Sequence, residues 1–250
     1  MQHQTIHIGT SGWVYDDWQG RFYPEEVKGT ERLEYYARQF DTVELNASFY
    51  RVPTEPMVAS WNRRLPESFH MVMKGSRLVT HRRKLVNVDE SLEFFLSRVL
   101  PVNTLKVILW QLPPSLHKDV PRLDAFMEKL PKTVRHAVEF RHGSWWDDEV
   151  AETLVQHKAA FVAVSMDGLP DTIIPTTDFL YLRFHGPADQ IYQYDYPDEE
   201  LAAWAERVRP LLEDRTLYAF FNNDYHARAP KNAATLRELL RGWEESGEGG

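Results

Sequence analysis

The stretch Arg135–Phe140, which reads RHAVEF, is followed by a helical pattern over Asp147–His157 and by a second apolar run over Phe161–Ser165. Both apolar runs are short and are rich in the residues that strands covered on both faces contain. The segment between them begins with acidic residues, as many helices do. A strand, a helix and a strand in this order predict one unit of a parallel sheet with a right-handed crossover.

The same alternation continues on both sides of this unit. Eight apolar runs predict strands, and they are Ile6–Gly9, Thr42–Leu45, Phe69–Lys74, Leu105–Trp110, Arg135–Phe140, Phe161–Ser165, Phe179–His185 and Leu217–Asn222. Eight parallel strands with helices between them predict an α/β fold, a closed TIM-like (β/α) barrel. Only Met166–Asp178 joins strands six and seven, and its two prolines leave no room for a full helix, so we expect an irregular barrel. An open doubly wound sheet is the structural alternative.

Length and composition are typical of one domain. The chain has 250 residues, a net charge of −8 and no cysteine. One barrel contains about 250 residues, so we predict a single domain over residues 1–241 and a flexible polar tail over residues 242–250. The absence of cysteine excludes disulfides and thiolate chemistry. The acidic balance argues against nucleic acid as a partner, and no signal or membrane-spanning segment is visible, so we expect a cytoplasmic protein. The oligomeric state stays open.

Polar side chains end most of the predicted strands. In a parallel barrel these strand ends, with the loops that follow them, build the active site. We therefore expect Glu44, Lys74 and Glu139 to be catalytic. The residues expected to bind the substrate are Trp13, Asn46, Tyr50, His81, Gln111, Arg141, Arg183, His185, Asn222 and Asn223.

The charges at these strand ends allow two interpretations. In the first, Glu44 or Glu139 is a base, Lys74 is an acid or electrophile, and Arg141 with Arg183 clamps an anion. Asparagine amides would suit a hydroxyl-rich ligand. The sequence then predicts an enzyme for a small, polar, anionic molecule such as a phosphorylated sugar, acting by isomerisation or another proton transfer. In the second interpretation the charges only neutralise one another in a buried ion network.

Two other functions stay open at this point. A metal-dependent phosphodiesterase or nuclease would draw ligands for Mg or Mn from Glu44, Glu139, Asp167, His185 and Asp224. No local ligand motif such as HExxH supports it, and neighbouring Arg or Lys would compete with a cation, so we assign no metal and no cofactor. The other possibility is a noncatalytic protein that binds a small molecule, because residue types do not reveal a rate.

Short motifs along nearly the whole chain carry a family resemblance. They are Thr10–Tyr15, Phe22–Pro24, Thr42–Tyr50, Lys74 with Thr80–His81, Gln111–Pro114, Val138–Trp145, Tyr181–Gly186 and Phe220–Asp224. In this order, from about Ile6 to Leu240, they resemble the YecE-like family (domain of unknown function 72). The resemblance implies a TIM-barrel-like fold and a distant kinship to sugar isomerases. It implies no specific activity, because the family has none established and one fold supports many functions.

Overall fold

The structure, a computed structural model, describes residues 6–245. The strands within them are β1 (Ile6–Thr10), β2 (Thr42–Leu45), β3 (His70–Lys74), β4 (Leu105–Gln111), β5 (Arg135–Glu139), β6 (Ala160–Phe161), β7 (Ala163–Met166), β8 (Phe179–Gly186) and β9 (Thr216–Phe221). The α-helices are α1 (Arg32–Gln39), α2 (Ala47–Tyr50), α3 (Glu55–Arg64), α4 (Asp89–Val99), α5 (Val120–Met127), α6 (Asp148–Gln156), α7 (Asp198–Val208) and α8 (Arg228–Glu245). The predicted alternation of strands and helices is confirmed.

The strands form two parallel sheets. One has the order β1-β9-β8-β7 and the other the order β2-β3-β4-β5-β6. The single closed sheet expected from the sequence is not confirmed. The run Phe161–Ser165, predicted as one strand, is interrupted at Val162, since β6 pairs with β5 whereas β7 pairs with β8. One segment thus supplies an edge strand to each sheet.

The two sheets are also separate between β1 and β2. Hydrogen bonds of one tyrosine hydroxyl replace the backbone hydrogen bonds of a strand pair there. The Tyr36 hydroxyl of α1 accepts from the Thr10 N–H at 3.0 Å and donates to the Thr42 carbonyl at 3.0 Å. The two strands meet closely at Gly9, where an added Cβ would lie 2.4 Å from the Thr42 oxygen. Glycine is therefore required at this junction, and α1 connects the two sheets through one side chain.

The facing sides of the two sheets share one apolar interior. Its buried residues come from both sheets and are Val72, Val107, Leu109, Ala137, Ala160, Val162, Val164, Phe179, Tyr181, Tyr218 and Phe220. A larger core packs the outer sides of the strands against the helices, each of which turns an apolar stripe inward. Because every strand pair is parallel, the carboxyl ends of the strands within each sheet lie at one edge.

Two predictions concern the connections. Residues 167–178, between β7 and β8, contain turns and extended backbone without a helix, as expected from their prolines. Thr176 fastens this segment to the sheet by accepting from the Phe161 N–H at 2.9 Å. Helix α8 continues to Glu245, so it enters the predicted tail, and residues 246–250 lie outside the described residues. Within residues 6–245, no helix is long and apolar enough to cross a membrane.

Candidate functional site

A buried ion network connects the two sheets at the carboxyl ends of their strands. Arg183 of β8 forms ion pairs with Glu44 of β2 and with Glu139 of β5, and no more than 1% of any of these side chains is exposed. Each Nη atom of Arg183 is directed to a different carboxylate. A buried carboxylate without a partner costs several kcal/mol, so this guanidinium makes both carboxylates tolerable.

Glu44 accepts from three donors, one directly after β1 and two on β8. Ser11 Oγ donates to it at 2.7 Å and the Tyr181 hydroxyl at 2.6 Å, in addition to Arg183. Burial by itself would raise the pKa of Glu44, but the charge of Arg183 and these hydrogen bonds hold the pKa below its ordinary value. Glu44 therefore stays ionised at neutral pH.

Glu139 forms a second branch of the network. It accepts from Arg141 as well as from Arg183, and His185 Nε2 lies 3.7 Å from it. Burial opposes its ionisation, but the two guanidiniums hold the pKa of Glu139 well below the usual range. His185 is closed in between Arg141 at 3.0 Å and the Asn222 amide at 3.2 Å, and burial lowers its pKa to about 4.

Lys74, at the end of β3, is the exception among these charges. Its Nζ lies 4.4 Å from the centre of the Phe49 ring. Among the residues whose side chains the structure describes, no carboxylate oxygen lies within 4.0 Å of Lys74 Nζ, the distance that defines an ion pair. Burial, and then the positive charge of Arg183, lowers the pKa of Lys74 to about 7, although Glu139 and Glu44 act in the opposite direction. This amine is half-buried and is partly neutral near pH 7.

The backbone around Lys74 is held from two sides. Ser48 Oγ donates to the Lys74 carbonyl at 2.7 Å, which fastens α2 to the end of β3. The next residue, Gly75, packs on the Trp110 indole, where an added Cβ would lie 2.3 Å from the ring. Lys74 is thus presented from a fixed strand end rather than from a mobile loop.

His81 belongs to the same region, on a π-helical turn at Leu78–Arg82. π-Helical turns are rare in proteins, and many of those that occur lie at functional sites. The His81 ring packs edge-to-face with the Phe49 ring, with a centroid distance of 4.8 Å. His81 Nδ1 and Thr80 Oγ1 share a hydrogen bond of 2.9 Å. Burial and the nearby Lys74 charge lower the pKa of His81 to about 4, so the ring is neutral at pH 7.

The remaining predicted site residues differ in how they are placed. Asn46 follows β2, and its buried Oδ1 has no hydrogen-bond partner within the described part of the chain. Gln111 ends β4 and is half-buried, Trp13 is 8% exposed and Tyr50 is 76% exposed. Asn223 is directed away from the network, because its Nδ2 donates to Tyr194 O and Asn232 Oδ1. The structure therefore joins Asn222, but not Asn223, to the charged cluster.

Several residues of the site were not predicted from the sequence. Tyr181 lies two residues before Arg183 on β8, and the two-residue period of a strand would have assigned both to one face. Ser11 directly follows β1, and its side chain donates to Glu44. Phe49 and Met166 carry no sequence signal, since their contacts with Lys74 and Arg141 join distant parts of the chain.

The side chains of this site are poorly arranged to hold a metal ion. Among the described residues, no three His, Asp or Glu side chains are grouped so that they could hold an ion. The position between Glu44 and Glu139 is taken by the Arg183 guanidinium, whose charge would repel a cation. Asp167 accepts instead from the Ala188 N–H at 2.9 Å.

Two parallel sheets, outer helices and an ion network at one edge define an α/β protein whose candidate site lies at its strand ends. The chain belongs to the family described as Protein of unknown function DUF72, whose model matches residues 7–247. The UPF0759 protein YunF of Bacillus subtilis is 28% identical, over 94% of each chain. The UPF0759 protein YecE of Escherichia coli is 26% identical, over 94% of this chain and 93% of that one.

Solved structures agree with this assignment. A DUF72 family protein from Thermotoga maritima is 33% identical and superposes with a TM-score of 0.84, over 95% of this chain and 99% of that one. A DUF72 family protein from Enterococcus faecalis has a TM-score of 0.80 at 22% identity, over 95% of this chain and 96% of that one, and supports the fold alone. The family resemblance seen in the sequence motifs is therefore confirmed.

Proposed function

We propose that this protein is an enzyme that acts on a small, polar, anionic and hydroxyl-rich molecule, such as a phosphorylated sugar, by isomerisation or another proton transfer. The proposal treats the two sheets as one TIM-like barrel with its site at the carboxyl ends of the strands. The observation that carries it is the half-buried Lys74 amine, which forms no ion pair with a carboxylate of the described residues although two carboxylates lie nearby. A lysine that only balanced charge would form an ion pair.

Proton exchange is assigned to Lys74. Because its pKa is lowered to about 7, both protonation states are populated near neutral pH, which is the condition for efficient acid–base catalysis. Glu44 and Glu139 are poorer bases than the sequence suggested, since their pKa values lie below the ordinary range. Their proposed role is to keep Arg183 and Arg141 in position and to balance the charge of the site.

Two neighbouring groups have hydrogen-bonding capacity left for a substrate. Among the described residues, Arg141 Nη1 donates only to the sulfur of Met166, at 2.8 Å, and thioether sulfur is a weak acceptor. An anionic substrate oxygen would be a better partner, so Arg141 is the proposed anion contact. Arg183 is less suited, because both of its Nη atoms serve carboxylates. The unpartnered Oδ1 of Asn46 suits a substrate hydroxyl, which can donate to it.

The proposal includes a small-molecule partner and a cytoplasmic location, since a charged sugar phosphate does not cross a lipid bilayer unaided. No observation favours the metal-dependent phosphodiesterase over it, because Arg183 lies between the two carboxylates that would have to hold the ion. A noncatalytic binding protein would need the same anion contact but would have no use for the lowered pKa of Lys74.

A thermal-shift screen tests the proposal directly. Sugar phosphates, the corresponding free sugars and small carboxylates are each added with and without Mg²⁺. A ligand at about 100 times its Kd adds about 2.7 kcal/mol to the free energy of unfolding. We expect a metal-independent shift with a sugar phosphate that is lost in Arg141→Ala and kept in Arg135→Ala, whose ion pair with Asp178 is half-exposed. No shift with any anion, or a shift that Arg141→Ala leaves intact, would contradict the proposal.

A further inference from the structure

Among the described lysines, Lys74 is the one whose amine lies over an aromatic ring; Lys84 and Lys106 are also half-buried and outside ion pairs but have no such contact. The Lys74 amine lies against the Phe49 ring at the carboxyl end of β3, half-buried and without an ion pair among the described residues. Lys118, Lys129 and Lys231 instead form ion pairs with surface carboxylates. A half-buried amine beside the positive charges of Arg183 and Arg141 is favoured in its neutral form, which is the nucleophile.

We propose that Lys74 forms a covalent imine with the carbonyl carbon of an anionic aldehyde or ketone. The inference rests on the proposed function, because it assumes the same site and the same anion contact. It names the reactive group of the substrate, and it makes Lys74 a nucleophile in place of a direct proton donor or acceptor. The pKa of Lys74, which burial and Arg183 lower to about 7, agrees with this geometry, since only the neutral amine carries the lone pair that attacks.

The step is balanced without any further reactant. The Lys74 nitrogen forms a bond to the carbonyl carbon, and the electron pair of the C=O bond moves to oxygen, which takes up a proton. The resulting carbinolamine loses its hydroxyl as water, with a second proton, while the nitrogen loses one of its own. One amine, one carbonyl and one proton thus give one protonated imine and one water.

The surroundings also suit the next step. The protonated imine is a cation in the position where burial and Arg183 disfavour the lysine cation. Loss of a proton from the neighbouring carbon removes that charge and leaves a neutral enamine. The His81 ring contacts the same Phe49 ring as the Lys74 amine, and this position makes it the proposed acceptor of the proton. Return of the proton to the opposite face of the same carbon regenerates the protonated imine, and addition of one water then frees Lys74 and a carbonyl product isomerised at that carbon.

Reductive trapping tests the imine. The wild-type protein is incubated at about pH 7.5 with dihydroxyacetone phosphate, glyceraldehyde 3-phosphate or pyruvate, each with cyanoborohydride, which reduces imines faster than free carbonyls. The modified lysines are then counted by peptide mass spectrometry. An amine with a pKa near 7 is mostly neutral at this pH, whereas one near 10.4 is neutral in about one molecule per thousand. We expect Lys74 to be modified at least about tenfold more than Lys118, whose carboxylate partners Asp147 and Glu149 raise its pKa.

The outcomes separate the two proposals. Selective modification of Lys74 by a phosphorylated probe, reduced in Arg141→Ala, supports both. If a probe gives a thermal shift that depends on Arg141 but Lys74 is modified no more than Lys118, the imine is overturned and the proposed function stands. If no probe gives either a shift or selective modification, both fail. Lys74→Met, which has no amine and no charge, should lose the adduct and should not lower the melting temperature at about pH 7.5, since the lysine cation is disfavoured at this position.

Discussion

At the scale of single residues, Arg183 has the largest structural task. It is 1% exposed and neutralises two carboxylates that come from two strands of the other sheet. Removing one partner of a buried ion pair leaves an uncompensated charge, which costs about 3–5 kcal/mol. Here a single substitution would leave both Glu44 and Glu139 without their shared partner, and only Glu139 would retain another guanidinium, that of Arg141.

Arg183→Met should therefore lower the free energy of unfolding by at least about 3 kcal/mol, as measured by urea denaturation at neutral pH. The matched control is Arg135→Met, which removes an ion pair with Asp178 whose side chains are 36% and 64% exposed. A pair of this kind contributes about 0–1 kcal/mol. Equal losses in the two variants would show that the buried network is not a stabilising centre.

Lys74 gives a second residue-scale prediction, with the opposite sign. Its folded-state pKa of about 7 lies below the ordinary value of 10.5, so the unfolded chain binds more protons between these two pH values. Lys74 therefore destabilises the fold at pH 7 and below, and this effect disappears as the pH rises towards 10.5. We expect Lys74→Met to be more stable than wild type near pH 6, with a difference that shrinks by pH 9.5. A difference independent of pH would contradict the lowered pKa.

At the scale of elements, the junction between β1 and β2 depends on α1. The Tyr36 hydroxyl replaces the missing ladder by bonding to the backbone of both strands, and the side chain is fully buried. A phenylalanine would preserve the ring and its packing but would leave the Thr10 N–H and the Thr42 carbonyl without this partner. Each buried backbone group left unsatisfied costs about 1–3 kcal/mol.

Tyr36→Phe should accordingly destabilise the protein by about 2–4 kcal/mol in urea and should speed hydrogen exchange at the Thr10 amide. Tyr35→Phe is the control on the same helix, because Tyr35 is only partly buried and its hydroxyl has no hydrogen bond among the described residues. If both substitutions had the same small effect, the hydroxyl would not be what connects the two sheets.

At the scale of the whole molecule, four buried or half-buried histidines make the free energy of unfolding depend on pH. His70, His81, His136 and His185 each have a pKa lowered from 6.5 to about 4, with burial as the largest cause. His136 illustrates the neutral form: its Nδ1 accepts from the Trp110 indole at 3.2 Å, and its Nε2 faces the Pro131 carbonyl at 2.8 Å. These four side chains remain neutral in the fold under conditions in which the unfolded chain takes up protons.

The free energy of unfolding should therefore fall as the pH is lowered from about 6.5 to about 4, before most carboxylates are protonated. Below 4.5, loss of the ionised Glu44 and Glu139 acts in the same direction. Urea titrations at a series of pH values measure this slope, and His136→Gln should reduce it by the share of one group. A constant stability down to about pH 5 would contradict the prediction.

The sequence by itself determined the alternation of strands and helices along the chain, the absence of a helix after β7 and the residues that stand at the strand ends. These features depend on local patterns of apolar residues, prolines and polar endings, which act over short stretches of chain. Glu44, Lys74, Glu139 and Arg183 could be predicted as site residues for the same reason: each ends or nearly ends an apolar run.

Only the tertiary structure decided how these residues are paired. That Arg183 rather than Lys74 neutralises both carboxylates, that Asn222 and Asn223 face opposite ways, and that β1 and β2 meet through Tyr36 all depend on contacts between distant segments. The same is true of the division into two sheets at Val162. An apolar run predicts a strand, but its partner strand and the charge beside each side chain depend on the packing of the whole chain, which no local pattern contains.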